Sequence, residues 1–405
     1  MKSVAFNLAK LKPNLEWASL PLFDRTGWKR VRFGDVVKQL KEQVNPEADG
    51  IERYVAGEHM ETENIHIRKW GTVGDGYLGP AFIRGFRMGQ VLYGSRRTYL
   101  KKVAVAEWDG VTANTTFVLE TDEGRMLQEL LPWLMLSERF TKHSVQESKG
   151  STNPYINFPD IAKFEFDLPP LDQQGRIAEI LWAVDSAEQN CDSLVENLGK
   201  AQRSLERNLF SQRGLRSERI SAVASIQRGR FTPRPRDNPK YFGGAMPFIQ
   251  TAQVIASRLW IESYEQTLND IGISVSKVFP KETIVMVIAG TYVGSVAKLG
   301  FESAFTDSLL GIRANPAILD NDYLFYYLRH FEAEVDSLAT EVAQRNLSIA
   351  GLQDFEIAFP RDLNEQRKVV SEIERFERIR DEAIIVSAKT KCLKQSLINH
   401  IYPTR

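Results

Sequence analysis

The residues of this chain best suited to chemistry are its arginines and lysines, because of how they bunch. Between positions 81 and 102 there are six cations (Arg84, Arg87, Arg96, Arg97, Lys101 and Lys102) and no acid, with Phe86, Tyr93 and Tyr99 interleaved. Between positions 219 and 258 seven cations accompany Asp237 alone, and the segment QRGRFTPRPR supplies Arg228, Arg230, Arg234 and Arg236. From 259 to 360 the balance reverses, six cations against fourteen acids. Cations sorted in this way, beside aromatic rings and glycine-rich loops, suit a polyanion. Ammonium groups neutralise phosphates, and the guanidinium fork matches phosphate oxygens or the acceptor edge of guanine. One such bunch also fits a solvated charged face; two, in matching parts of the chain, favour binding. Two polar turns, 148–153 with Lys149 and Asn153 and 344–346 with Arg345 and Asn346, hold equivalent places and join the candidate surface.

Other motifs support chemistry less well. Gly74-Asp-Gly76-Tyr-Leu-Gly79 has the spacing of a dinucleotide loop, but Pro80 follows at once and no helix opens there, so it reads as a glycine turn. Asn153-Pro-Tyr155 lacks the second proline of an amino-methyltransferase motif, and no glycine loop for S-adenosylmethionine precedes it. Glu147-Ser-Lys149 has no suitably placed upstream Asp for a nuclease. The five histidines (His59, His66, His143, His330 and His400) show no metal-ligand spacing. Cys191 and Cys392 fall in helical stretches and read as small packing residues. No Walker loop occurs. The chain is therefore expected to hold no catalytic group, metal or cofactor of its own.

Something must position the cations, and two long stretches stand out. In the first, 168–214, apolar residues at Ile177, Ile180, Val184, Ala187, Cys191, Leu194, Leu198, Ala201 and Leu205 alternate steps of three and four, the seam of a coiled coil. About 42 residues at 1.5 Å each give a rod of ~60 Å. The second, 364–401, repeats the pattern through Val369, Ile373, Phe376, Ile379, Ala383, Val386, Thr390, Leu393 and Leu397, with a phase reset after Phe376. A seam that long needs a partner, and each supplies the other.

Sliding the sequence against itself by about 193 positions aligns the two halves. Thr98-Tyr99 falls on Thr291-Tyr292, Asn114-Thr115 on Asp307-Ser308, Asn153 on Asn346, and the helix start Leu171-Asp-Gln-Gln174 on Leu363-Asn-Glu-Gln366. The expected fold is α/β: two similar globular domains separated by two long helices that pair as an antiparallel coiled coil. The expected segments are an N-terminal arm (1–27), a first domain (28–168), a central helix (169–214), a second domain (215–360) and a C-terminal helix (361–405). A helix of about fifteen residues is expected in each domain, at 125–140 and 322–338. With the helices antiparallel, the pair acts as a ruler between two similar binding surfaces.

Composition agrees with a globular protein. The chain has 405 residues, 43% apolar and 26% charged, enough for two or three cored domains. Its 52 basic and 52 acidic side chains cancel, so any polyanion site depends on local clustering. No apolar run reaches the ~18 residues of a membrane span and the amino terminus lacks a signal-peptide core, so a cytoplasmic protein is expected. From these residues alone two other classes stay open. A coiled-coil scaffold or inactive relative would show no salt-dependent DNA binding, and a self-sufficient nuclease or methyltransferase would act as the purified chain.

Two variable domains, each followed by a long helix that opens with a Pro-x-(Leu)-(Asp/Asn/Glu)-x-Gln signature, resemble the specificity subunit of type I restriction–modification enzymes. The residues that carry the resemblance are FDLPPLDQQGRIAEIL (166–181) and AFPRDLNEQRKVVSEI (358–373), and it extends over 28–401. The copies differ where Gly175 meets Arg367 and where Arg361-Asp362 stands against Pro170. The resemblance implies a non-catalytic, DNA-reading subunit with two target-recognition domains, one for each half of a split double-stranded DNA sequence, and paired helices that fix the unread spacer. It implies two modification subunits that methylate adenine with S-adenosylmethionine, and restriction subunits that cleave DNA using ATP and Mg.

Overall fold

The computed structural model describes residues 24–341 and 345–404. The expected arm before Asp24, and Gln344 of the second polar turn, lie outside the described residues. By contact the chain divides into two units. One runs to Asp192 and resumes at Ile385, and the other spans Ser193–Ile384. Both divisions fall within long helices, α1 (Leu171–Phe210) and α2 (Leu363–Ile401), so each unit includes part of both.

In the first unit, entry and exit strands clasp each other. Lys29–Arg32 runs antiparallel to Glu165–Leu168, from Lys29 opposite Leu168 to Arg32 opposite Glu165. The exit strand alternates as a half-buried strand should: Phe166 and Leu168 are buried, while Glu165 faces solvent and pairs with Arg30. Between the clasped ends lie two four-stranded sheets. One orders Val37–Leu40, Thr116–Thr121, Val91–Gly94 and Val103–Val105, antiparallel throughout. The other orders Gly71–Thr72, Arg53–Val55, Gly110–Ala113 and Phe82–Phe86, with Arg53–Val55 parallel to Gly110–Ala113.

The second unit repeats this plan. Its clasp pairs Arg216–Arg219 with Glu356–Phe359. One sheet orders Ala224–Arg228, Leu309–Ala314, Ile284–Val287 and Val296–Leu299, with Trp260–Ile261 added as a fifth, parallel edge. The other orders Gln266–Leu268, Phe242–Ile249, Ser303–Phe305 and Val278–Phe279, again with one parallel pair at its centre. The duplication visible in sequence is thus a duplication of topology.

The fifteen-residue helix expected in each domain is broken in two. Leu131–Leu136 stops at Ser137, whose extended backbone (φ −65°, ψ 146°) and hydroxyl cap Glu138–Gln146 by accepting from Phe140 N. In the second unit Asn321–His330 gives way to Glu332–Ser337 at Phe331. The first piece is buried throughout in the first unit and over Tyr323–Leu328 in the second, which is why amphipathic periodicity does not mark the break.

The ends of α1 and α2 dock into the domain cores. Ile177, Leu181, Ile398, Ile401 and Tyr402 share a core with Trp133, Phe140 and Phe166. Leu209, Phe210, Val369, Val370 and Ile373 share another with Tyr323, Tyr327 and Ile357. Each such side chain contributes ~1.5–3 kcal/mol on burial. One glutamine fixes each helix start. Gln174 is buried; its Nε2 donates to Arg125 O (2.9 Å) and Pro169 O (2.8 Å), and its Oε1 accepts from Leu127 N (2.8 Å). Gln366 does the same with Ile318 O (3.0 Å), Pro360 O (2.7 Å) and Asp320 N (2.7 Å).

Within each unit the helix segments pair antiparallel, but the seam is not the apolar one expected from spacing. Ile177 and Ile373 are buried, and Ile180, Val184, Leu198, Leu205, Phe376 and Leu397 are half-buried, while Leu194 and Leu393 are each 51% exposed. The buried line on α1 passes instead through Leu181, Asp185, Glu188, Gln202 and Glu206. In the first unit Lys394 Nζ meets Asp185 (2.8 Å) and Glu188 (2.6 Å), and Ser387 donates to Asp192 (2.6 Å). In the second, Gln202 bonds Glu377 and Arg380, and Arg329 lies between Glu206 (3.8 Å) and Glu377 (2.6 Å). The seam turns because these charges find partners inside it, which leaves apolar side chains on the flank.

Candidate nucleic-acid interface

In the first unit the candidate surface grows from the hairpin Val91–Gly94/Val103–Val105. Its connection makes a 3₁₀ turn, Thr98–Leu100, bracketed by Arg97 (φ +51°) and Lys101 (φ +46°), both left-handed. Left-handed backbone is costly for such residues, so neighbours must hold it. The segment 148–156 does so. Arg97 N donates to Pro154 O (2.7 Å), Ile156 N to Ser95 O (2.9 Å), and Lys149 and Tyr155 exchange backbone bonds of 2.8 and 2.9 Å. Ser95 is tied by its amide (3.1 Å) and hydroxyl (2.6 Å) to Thr115 O.

This scaffold brings Arg96, Arg97, Tyr99, Lys149 and Asn153 together at one edge, all exposed. Arg97 Nε donates to Asn153 Oδ1 (3.3 Å). Lys149 Nζ bonds Asp160 (2.9 Å), which raises the lysine's pKa and lowers the carboxyl's. Tyr155, 41% exposed, stands beside them and was not marked by charge counting.

Other expected members lie elsewhere. Lys101 is buried, its ammonium held by Glu63 (2.7 Å) and Glu138. Burial alone lowers its pKa, but the two carboxylates outweigh that and raise it. A paired, buried ammonium positions the turn and presents no free cation. Lys102 is half-buried, with its Nζ on Gly57 O. Arg84 donates to Lys41 O (2.8 Å), and Arg87 pairs with Glu42 (3.4 Å) at the far end of the strand, where Gly89 N meets Ala106 O. Neither joins the edge.

The second unit builds the same edge by other means. Ile288 N donates to Ser308 O (3.1 Å), Leu347 N to Ile288 O (2.8 Å) and Gly290 N to Arg345 O (3.0 Å), which repeats the lacing of Ser95, Thr115 and Ile156. The turn carries Tyr292, 54% exposed, where the first unit has Tyr99, 53% exposed. The alignment of the two halves had paired these tyrosines, and that was the signal for Tyr292. Arg228, Arg234 and Arg236 gather on Asp307. Arg228 Nε donates to its carbonyl (2.6 Å), Arg236 to Oδ1 (2.6 Å), and Arg234 approaches Oδ2 (3.5 Å). Arg230 Nη2 bonds Ser276 O (2.7 Å), Arg345 pairs with Asp336 (2.7 Å), and Asn346 is exposed. One aspartate, through its carboxylate to two guanidinium groups and its carbonyl to the third, organises them and leaves donors over. Donors of this kind suit phosphates and guanine edges, and an open tyrosine ring suits stacking. Among the described residues there is no cluster of His, Cys, Asp and Glu able to hold a metal, and no helix long and apolar enough to cross a membrane.

Two like domains, each with a basic, tyrosine-bearing edge and each joined to long paired helices, define a tandem-domain protein built on a helix pair. The sequence matches the type I restriction modification DNA specificity domain over residues 88–194 and 217–386. The chain belongs to this family. Among its relatives, the type I restriction enzyme MjaVIII specificity subunit of Methanocaldococcus jannaschii is 23% identical over 196 residues, 46% of this chain and 42% of the relative. The type I restriction enzyme EcoDI specificity subunit of Escherichia coli is 23% identical over 217 residues, 50% of this chain and 45% of the relative. The chain thus spans about half the length of the curated relatives it matches. In fold it is similar to the HsdS subunit from Thermoanaerobacter tengcongensis (TM-score 0.53, 20% identity, covering 93% of this chain and 97% of the other). It is also similar to the type I restriction-modification S subunit from M. genitalium (TM-score 0.58, 12% identity, 94% and 97%).

Proposed function

We propose that this chain is the DNA-specificity subunit of a type I restriction–modification complex and that it reads a bipartite duplex target. Each domain takes one half-site at its basic edge, and α1 and α2 set the number of unread base pairs between the halves. Modification subunits, two of them, methylate adenine with S-adenosylmethionine; restriction subunits cleave DNA with ATP and Mg. This chain supplies recognition and no catalytic group, and it works in the cytoplasm.

The observation that carries this reading is the repeated edge. Arg96, Arg97, Lys149 and Tyr99 in one unit, and Arg228, Arg234, Arg236 and Tyr292 in the other, stand on the same lacing of the same sheet topology. Membership of the specificity-domain family supports it. Each unit leaves half-exposed apolar side chains on its helix segments for the modification subunits to cover, Ile385 and Leu393 in the first and Leu194, Ile379 and Ile384 in the second.

The test is the genome-wide adenine methylation pattern of the host with and without the gene. Loss of one split motif, two short half-sites with a fixed gap, is the expected result. An unchanged pattern in a host where the chain co-purifies with active modification subunits would overturn the reading.

A further inference from the structure

The glycine turn between Gly71–Thr72 and Phe82–Phe86 holds the most exposed large apolar side chain among the described residues: Tyr77, 90% open to solvent. Gly74 (φ +97°) and Gly76 (φ +111°) take a backbone conformation that side-chain-bearing residues rarely adopt, and Pro80 fixes the return. Such backbone lets the chain bend sharply just before Tyr77, whose ring stands clear of the protein.

Its base is tied to the candidate interface. Asn114 N donates to Ala81 O (2.8 Å), and the next residue, Thr115, gives its carbonyl to Ser95, which precedes Arg96. The turn thus leaves the sheet at its far end, where Val73 N donates to Glu52 O (2.9 Å), and returns at the edge that carries Arg96, Arg97 and Tyr99, with Tyr77 midway between the two feet. Exposure alone does not select a residue: Met88 is 70% exposed but lies at the other end of the hairpin, beside the Gly89–Ala106 bond. The topologically equivalent connection of the second unit, 269–277, places Ile271 (55% exposed) on a segment tied to the arginine group through Arg230 and Ser276 (2.7 Å).

We propose that Tyr77 is a specificity-determining residue for the first half-site: its ring enters a groove and contacts the bases while the arginines hold phosphates. The inference rests on the DNA-reading function proposed above. A planar ring with one polar tip can stack on a base step or pack on a thymine methyl, and neither contact is available to the arginine–phosphate pairs.

The experiment uses the chain in complex with its modification subunits, as wild type, Tyr77→Ala, Tyr77→Phe and the double variant Arg96→Glu/Arg97→Glu. Each is titrated against a duplex bearing the methylated motif and a scrambled duplex, at several salt concentrations, and each methylation pattern is sequenced. Tyr77→Ala should weaken binding to the motif duplex by about 5- to 150-fold and relax one position of one half-site. It should leave scrambled-duplex affinity and the salt slope unchanged, and Tyr77→Phe should match wild type. The double arginine variant should weaken binding to both duplexes and flatten the salt slope. Wild-type affinity and pattern in Tyr77→Ala would overturn the assignment, as would an equal loss on both duplexes. A wild-type complex that fails to discriminate the two duplexes would instead overturn the DNA-reading function, and this inference with it.

Discussion

Single side chains fix much of this molecule by closing buried hydrogen-bond accounts. Gln174 satisfies three backbone groups at once; only a side-chain amide offers two donors and an acceptor together, and asparagine's is one methylene shorter in reach. Gln174→Ala should therefore lower unfolding free energy by at least about 1–3 kcal/mol, the cost of one stranded buried group, measured by denaturant titration. An unchanged midpoint would mean that water reaches those carbonyls. His66 is a second case. Its ring bonds Asp185 (2.7 Å) and Glu107 (3.0 Å) and so links a loop of the first domain to α1. The Asp185 bond chiefly raises the histidine's pKa, against the effect of burial. Asp185 itself is pushed up by burial but held lower overall by His66 and Lys394. The histidine's contribution is full below its unfolded value near 6.5 and fades as pH rises through the raised folded value; the carboxyl's fades as pH falls through its lowered one. His66→Asn should thus cost more melting temperature near pH 6 than near pH 9, and equal costs would remove the charge from the argument. At this scale sequence was a partial guide. It showed where cations bunch, but Lys101 has its carboxylate partners at Glu63 and Glu138, which only the fold brings near.

Among elements, the long helices were the most legible and their seam the least. Steps of three and four marked two rods that pair, and the matching Gln-ended starts marked where they begin. The pattern misplaced the contact line because it weighs only apolar residues. Asp185, Glu188 and Lys394 are buried with one another, and so are Gln202, Glu206 and Glu377 with Arg329. Removing one member of a buried charge group leaves the others uncompensated, at ~3–5 kcal/mol. Lys394→Met should accordingly destabilise the first unit by about that amount in urea unfolding, whereas Leu393→Ala, on the exposed flank, should change it by less than ~1 kcal/mol. If the two variants unfold alike, the polar line is not the interface. Leu393→Ala is instead expected to weaken capture of the modification subunits, measured by pull-down.

For the whole molecule, the self-alignment at about 193 residues foretold two copies of one plan, and the four-stranded cores of the sheets repeat in order, the second unit adding Trp260–Ile261 as an extra edge. Their strand order and the parallel central pairs were not legible, since strands this short, two to eight residues, carry too little periodicity to fix neighbours. The ruler role predicts that one heptad inserted into both helices lengthens the gap between methylated half-sites without changing either half, read by methylation sequencing; an unchanged gap would sink it. DNA binding by the assembled complex should weaken steeply with salt despite the chain's net charge of zero, because the clusters act locally. The clasp has one more implication. Lys29–Arg32 pairs with Glu165–Leu168, and Arg216–Arg219 with Glu356–Phe359, so the chain enters and leaves each domain through neighbouring strands of a single ribbon. Whatever lies between the two strands of that ribbon can be exchanged as a cassette while the ribbon and its helix stay intact. On the proposed reading, recombination at those two short seams would replace one half-site of the target and leave the other half-site and both helices as they were.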